Sequence, residues 1–86
     1  MKTYRIYTED KNKDKVIELV SKSFDSFTVM NGLGYWKGIP EKALIIDIVD
    51  KRYSLSQVNN LCVEIKKLNK QQAVLLTATK TSRYII

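Results

Sequence analysis

Two stretches of this chain repeat apolar residues at helical spacing, and each is flanked by short runs that alternate with period two. This order of periods limits the fold more than any other feature, because each helical stripe must find a sheet to cover. In the first stretch Val16, Ile17, Val20 and Phe24 form one stripe, and Lys13, Asp14, Lys15, Glu18 and Lys22 fill the other side. Asn12 is the expected N-cap, and the helix should end near Phe24. In the second stretch Leu55, Val58, Leu61, Cys62, Ile65 and Leu68 share a face. Ser54 and Gln57 have the spacing of a capping box, and Asn69-Lys70 marks the end.

Four β-prone runs accompany these helices, at residues 3–8, 27–31, 43–49 and 73–79. The third run is apolar on both faces except for Asp47, which suits a central strand. Residues 32–40 hold all three glycines and the proline, and are too few for a crossover helix. The second and third runs should therefore form an antiparallel hairpin with a long, decorated tip. Residues 50–53 read as a charged turn, and 82–86 as a tail. The sum is β-α-β-β-α-β. Right-handed crossovers turn this into one α+β, ferredoxin-like domain over residues 1–86, with strand order 4-1-3-2 and two helices on one face.

A sheet covered on one side leaves its other side open. With Tyr4, Ile6, Leu44, Ile46, Ile48, Val74 and Leu76 under the helices, the open set is Arg5, Tyr7, Thr28, Met30, Ile45, Asp47, Val49, Leu75 and Thr77. That set is apolar enough to imply a partner, and self-association is the expected form. Met30, Ile45, Val49 and Leu75 are the candidate oligomer interface. Arg5 and Asp47 should pair across neighbouring central strands.

Composition narrows the chemistry. The chain has no histidine and one cysteine, so histidine-dependent nucleophile pairs and ordinary zinc sites are excluded. Cys62 lies on the apolar stripe and reads as a buried, inert thiol. No metal or cofactor is expected; Glu9-Asp10 reads as a solvated turn. The lone cysteine, the polar N-terminal segment and the longest apolar run, ALII, lead to the expectation of a cytoplasmic protein without a membrane segment. A net charge of +6 would attract polyanions, but the 15 basic residues are scattered along the chain. Only Lys66, Lys67 and Lys70 bunch, in a last helical turn that favours cations anyway.

The segment GLGYWKGIPEK carries the functional argument. Tyr35 and Trp36 supply rings that can stack, Lys37 supplies positive charge, and Gly34 and Gly38 allow close approach. Glu41 stands at the edge of this loop. Arg5 and Tyr7 are lesser candidates. The bland alternative is that the rings close the end of the core. The glycine spacing matches neither a phosphate-binding loop nor a dinucleotide fingerprint. An RNA-recognition domain shares the element order, but it needs aromatics on both central strands. Here the third run has none and carries Asp47.

The set YRIYTEDKN, FDSFTV, GYWKGIPEKALIIDIV and LNKQQAVLLT resembles small uncharacterised proteins of bacteria, archaea and their phages. The GYWKG-x-x-E element, Gly34 to Glu41, is the most family-like part. The resemblance implies an accessory role such as countering host defence, exercised by binding a nuclease or a small signalling nucleotide.

The reading is therefore a non-enzymatic binding protein, homo-oligomeric, that engages a nucleotide-like ligand or a host protein through its hairpin. Two rivals are nucleic-acid binding driven by net charge, and a small enzyme using Glu41 or Asp47 as general base.

Overall fold

The computed structural model describes residues 1–49 and 53–86. Its elements are β1 (Lys2–Glu9), α1 (Lys13–Ser23), β2 (Thr28–Trp36), β3 (Ile39–Val49), α2 (Leu55–Asn69) and β4 (Leu75–Lys80). The four strands form one antiparallel sheet in the order β2-β3-β1-β4, with β1 and β3 central. This is the expected ferredoxin-like β-α-β-β-α-β arrangement.

The core is a single layer between helices and sheet. Tyr4, Ile6, Leu44, Ile46 and Ile48 meet Val16, Val20 and Phe24 from α1 and Val58, Leu61, Cys62 and Ile65 from α2. Ile6, Ile46 and Ile48 are fully buried. Truncating one of them to alanine should cost about 2–5 kcal/mol through lost burial and the cavity left behind. The first helical stripe is rotated slightly from the sequence reading: Leu19 packs on the core while Ile17 is half-buried. Leu55, expected on the second stripe, is exposed in the first turn of α2.

The ends of the helices follow two different rules. Ser54 accepts from the Gln57 amide at 3.3 Å, and its own amide donates to Gln57 Oε1 at 2.8 Å, completing the expected capping box. Asn12 occupies the N-cap position of α1, but its side chain makes no capping bond and its backbone is left-handed, with φ 52°. Its Nδ2 donates instead to Asn69 Oδ1 at 3.1 Å. Asn69 is itself buried; its Nδ2 donates to Thr8 Oγ1 at 3.4 Å and to Gln71 Oε1 at 2.9 Å. Buried amides require such partners, and this network ties β1, the start of α1 and the end of α2 together.

Residues 50–52 of the expected charged turn lie outside the described residues.

Candidate functional site

The segment from Gly32 to Pro40 is not an open loop. β2 runs on to Trp36 and β3 begins at Ile39, with Trp36 opposite Ile39, Tyr35 opposite Pro40 and Gly34 opposite Glu41. Only Lys37 and Gly38 remain between the strands, at φ 50° and φ 79°. Two successive positive φ values are the type I′ signature, whose twist matches that of the flanking strands. The glycines suggested a loop; the ladder bonds of a ribbon and one correctly placed Gly38 override that signal.

The ribbon also outruns the sheet. The last β1 residue in register with β3 is Glu9, opposite Ala43, and the Asp10 amide donates to the Lys42 carbonyl at 3.1 Å, so residues 39–41 of β3 pair only with β2. At roughly 3.4 Å per residue, the arm extends on the order of 10 Å beyond its neighbour. It carries Leu33, Tyr35, Trp36 and Ile39, each between 62% and 69% exposed. Neither ring therefore closes the core, which sets aside the bland reading of the tip.

Strand alternation divides these side chains between two faces. Leu33, Tyr35, Pro40 and Lys42 lie on the same side as buried Leu44, whereas Trp36, Ile39 and Glu41 lie on the open side with Ile45. Tyr35 and Trp36 thus cannot both stack on one ring, although each can stack alone. Lys37 Nζ sits 6.0 Å from the centroid of Trp36, at the outer limit of a cation–π contact. Gly32 and Gly34 leave the open side of β2 bare. A Cβ on Gly32 would stand 2.9 Å from Ile45 Cδ1, so the glycine lets Ile45 lean across β2.

On the open face the registers align Met30, Ile45, Tyr7 and Leu75 in one row across all four strands. Met30 and Leu75 are exposed, and Ile45 and Tyr7 are half-buried. The next row is Thr28, Asp47, Arg5 and Thr77. Val49 lies one row further on, opposite Thr3. Arg5 Nε and Nη2 donate to Asp47 Oδ1 and Oδ2 at 2.6 and 2.7 Å. This two-pronged pairing holds the Arg5 guanidinium still further above its ordinary value, first through the hydrogen bonds to Asp47. With both oxygens engaged, Asp47 is not a free base.

Glu41 is in a different situation. Glu9, on β1, lies two positions along from its level on the same face, and the two carboxyl groups share a hydrogen bond. That bond, then partial desolvation and the charge of Glu9, raise the Glu41 carboxyl above the ordinary glutamate value. Glu9 is lowered, first by its bond to Lys11, whose Nζ is 2.9 Å from Oε2, and then by Glu41. The Glu9 partner was not visible in the sequence; a carboxylate on the first strand and one in the third run, both at open-face parity, was the signal available. Cys62 is buried, and desolvation pushes its thiol up to about 11. Among the described residues there is no metal-binding cluster of acidic, cysteine or histidine side chains. Among the described residues no helix is long and apolar enough to cross a membrane.

No protein-family model matches the chain, and no curated protein matches it. Solved structures do share its fold. A DUF3240-family protein from Shewanella baltica is similar with a TM-score of 0.73 at 10% identity, over 99% of this chain and 93% of that one. GlnK from B. subtilis, solved as its ATP complex, is similar with a TM-score of 0.63 at 21% identity, over 91% of this chain and 80% of that one. A phage SAM lyase in its apo state is similar with a TM-score of 0.57 at 16% identity, over 91% of this chain and 78% of that one. At these identities the likeness is one of fold.

Proposed function

We propose that this chain is a non-enzymatic binding protein that assembles with copies of itself through the open sheet face and grips a protein partner with the β2–β3 arm. One observation carries the reading: four large apolar or aromatic side chains stand exposed on both faces of a ribbon that the sheet does not support. Exposed aromatics of this kind are the usual anchors of an interface. The apolar row Met30-Ile45-Tyr7-Leu75 supports self-association. An accessory role in countering host defence belongs to the same reading. It rests on the resemblance of the Gly34–Glu41 element to small uncharacterised proteins of bacteria, archaea and their phages, and a phage protein shares the fold.

The direct test is Trp36→Ala in a phage-plating assay on a defended host, with melting measured in parallel. The variant should melt within about 2 °C of wild type, since a solvent-exposed ring contributes little to folding, and should lose the plating advantage. A drop of many degrees would make the ring a structural element instead.

A nucleotide-like ligand at the arm is the second reading, favoured by Lys37 lying over the Trp36 ring and by the fold shared with ATP-bound GlnK. Saturable quenching of Trp36 fluorescence by ATP or AMP would support it. A small enzyme is favoured only by the Glu9–Glu41 pair, two carboxyls whose affinities for protons are driven apart. Its mark would be a turnover that Glu41→Gln abolishes. Nucleic-acid binding would reveal itself by affinity that falls steeply with added salt.

A further inference from the structure

At the end of the sheet away from the arm, β1 and β4 leave a concave site that the arm does not use. Its volume is about 640 Å³, and it is lined by Met1, Lys2, Tyr4, Tyr53, Lys80, Thr81 and Ser82. That volume lies within the range of roughly 300–1,000 Å³ that small-molecule sites occupy. The lining has an unusual charge pattern. Lys2 and Lys80 are directly opposed in the β1–β4 register, and among the described lining residues there is no carboxylate. Like charges directly opposite on neighbouring strands repel, so the bare pair costs stability. Neither lysine is in an ion pair among the described residues. The sequence spends this cost beside two tyrosine rings and two hydroxyl side chains.

The remaining wall is held in place by its own contacts. Tyr4 is buried, and the Tyr53 ring meets Phe24 edge-on with centroids 4.6 Å apart. The Tyr53 hydroxyl accepts from the Asp25 amide at 3.3 Å. Thr81 shares a hydrogen bond with Thr3 through their hydroxyls, and the Thr81 amide donates to the Met1 carbonyl at 3.1 Å. The walls are fixed while the two ammonium groups sit on long, exposed stems. Such a site suits a compact dianion bridging the lysines, with a flat apolar body against the half-buried Tyr53 ring. We infer that this cleft binds a phosphate-bearing small molecule of the nucleoside monophosphate class. The ligand's charge would relieve the lysine repulsion. The second cleft, of about 320 Å³ between the helices, offers no such selection: three lysines there are offset by Glu18 and Glu64.

The inference is independent of what the arm binds, and one experiment separates them. Amide resonances of the isotope-labelled full chain are followed at low salt during separate titrations with AMP, inorganic phosphate and adenosine. AMP should move the amides of Lys2, Lys80, Thr81 and Ser82 and leave those of Lys37 and Gly38 in place. Phosphate and adenosine should each bind at least tenfold more weakly than AMP. Lys2→Glu should weaken AMP at least tenfold and raise the melting temperature by a few degrees, because it turns a repelling pair into an attracting one. Lys80→Gln should weaken AMP similarly and serves where the first variant folds poorly. The inference is overturned if AMP to several millimolar moves none of the four amides, if both variants keep wild-type affinity, or if phosphate alone binds as well as AMP.

Discussion

Lys37 holds a left-handed backbone at φ 50° in a turn position that asparagine or glycine would fill at lower cost. A non-glycine residue there gives up on the order of 1 kcal/mol. Strain of this kind points to a use for the side chain, and the ammonium lying over Trp36 is the available use. Lys37→Asn should therefore stabilise the fold by about 0.5–1 kcal/mol, read from denaturant midpoints, while weakening partner or nucleotide binding at the arm. If binding is unchanged in the stabilised variant, the lysine is not part of the contact. The Glu9–Glu41 pair makes a second prediction. Glu41 has a raised value in the folded state, so its contribution is fully present below the unfolded value and is lost as pH rises through the folded one. Glu9, lowered first by Lys11, behaves oppositely: its contribution is lost as pH falls through its depressed folded value. Glu41→Gln imitates the protonated form. It should melt higher than wild type at neutral pH, and the gap should close in acid. Equal melting curves across that range would show that the shared hydrogen bond does not form. The Arg5–Asp47 pairing was legible in the sequence, because these were the two charges, of opposite sign, in the expected open-face set of the central strands. The Asn12–Asn69–Thr8–Gln71 network was not, because it joins residues 8–12 to the distant residues 69–71 and none of its members has a pattern of its own.

At the scale of elements, both helices were legible from apolar periodicity, and the order of the strands from right-handed crossovers applied to the β-α-β-β-α-β sequence. The β2–β3 hairpin was legible as a connection but not as a structure. Three glycines and a proline over residues 32–40 favour a loop by local preference. Yet Gly32 and Gly34 are tolerated within β2 because the ribbon's backbone bonds do not depend on side chains, and Pro40 sits on the unsupported part of β3. Gly38 is the position that the arm cannot change. At φ 79° any side chain is strained, although no atom lies within 4 Å of an added Cβ. Gly38→Val should thus disturb the arm by backbone strain alone. Its expected signature is loss of protection from amide exchange in residues 33–42, with the protection of β1 and the helices unchanged. Cooperative loss throughout the domain would mean that the arm is integral to the fold, and a contact role would need another basis.

For the whole molecule, the question is what covers the open face. Its apolar row spans the sheet from Met30 to Leu75, and a polar row with one closed ion pair runs beside it. An edge-to-edge row of this kind is self-complementary about a two-fold axis: Ile45 and Tyr7, at its centre, would meet the same residues of a second copy, while Thr28 and Thr77 would fall at the margin. Ile45 suits the test because its neighbours Leu44 and Ile46 hold the core on the other side, so Ile45→Lys charges the face without entering the interior. Two-fold symmetry would place two ammonium groups close together at the centre of each interface. Light scattering across a concentration series should therefore give oligomers for wild type and monomers for Ile45→Lys. Leu75→Lys, at the end of the row, should weaken assembly less. A wild-type chain that stays monomeric at all concentrations would remove self-association, and the exposed row would then belong to a different partner.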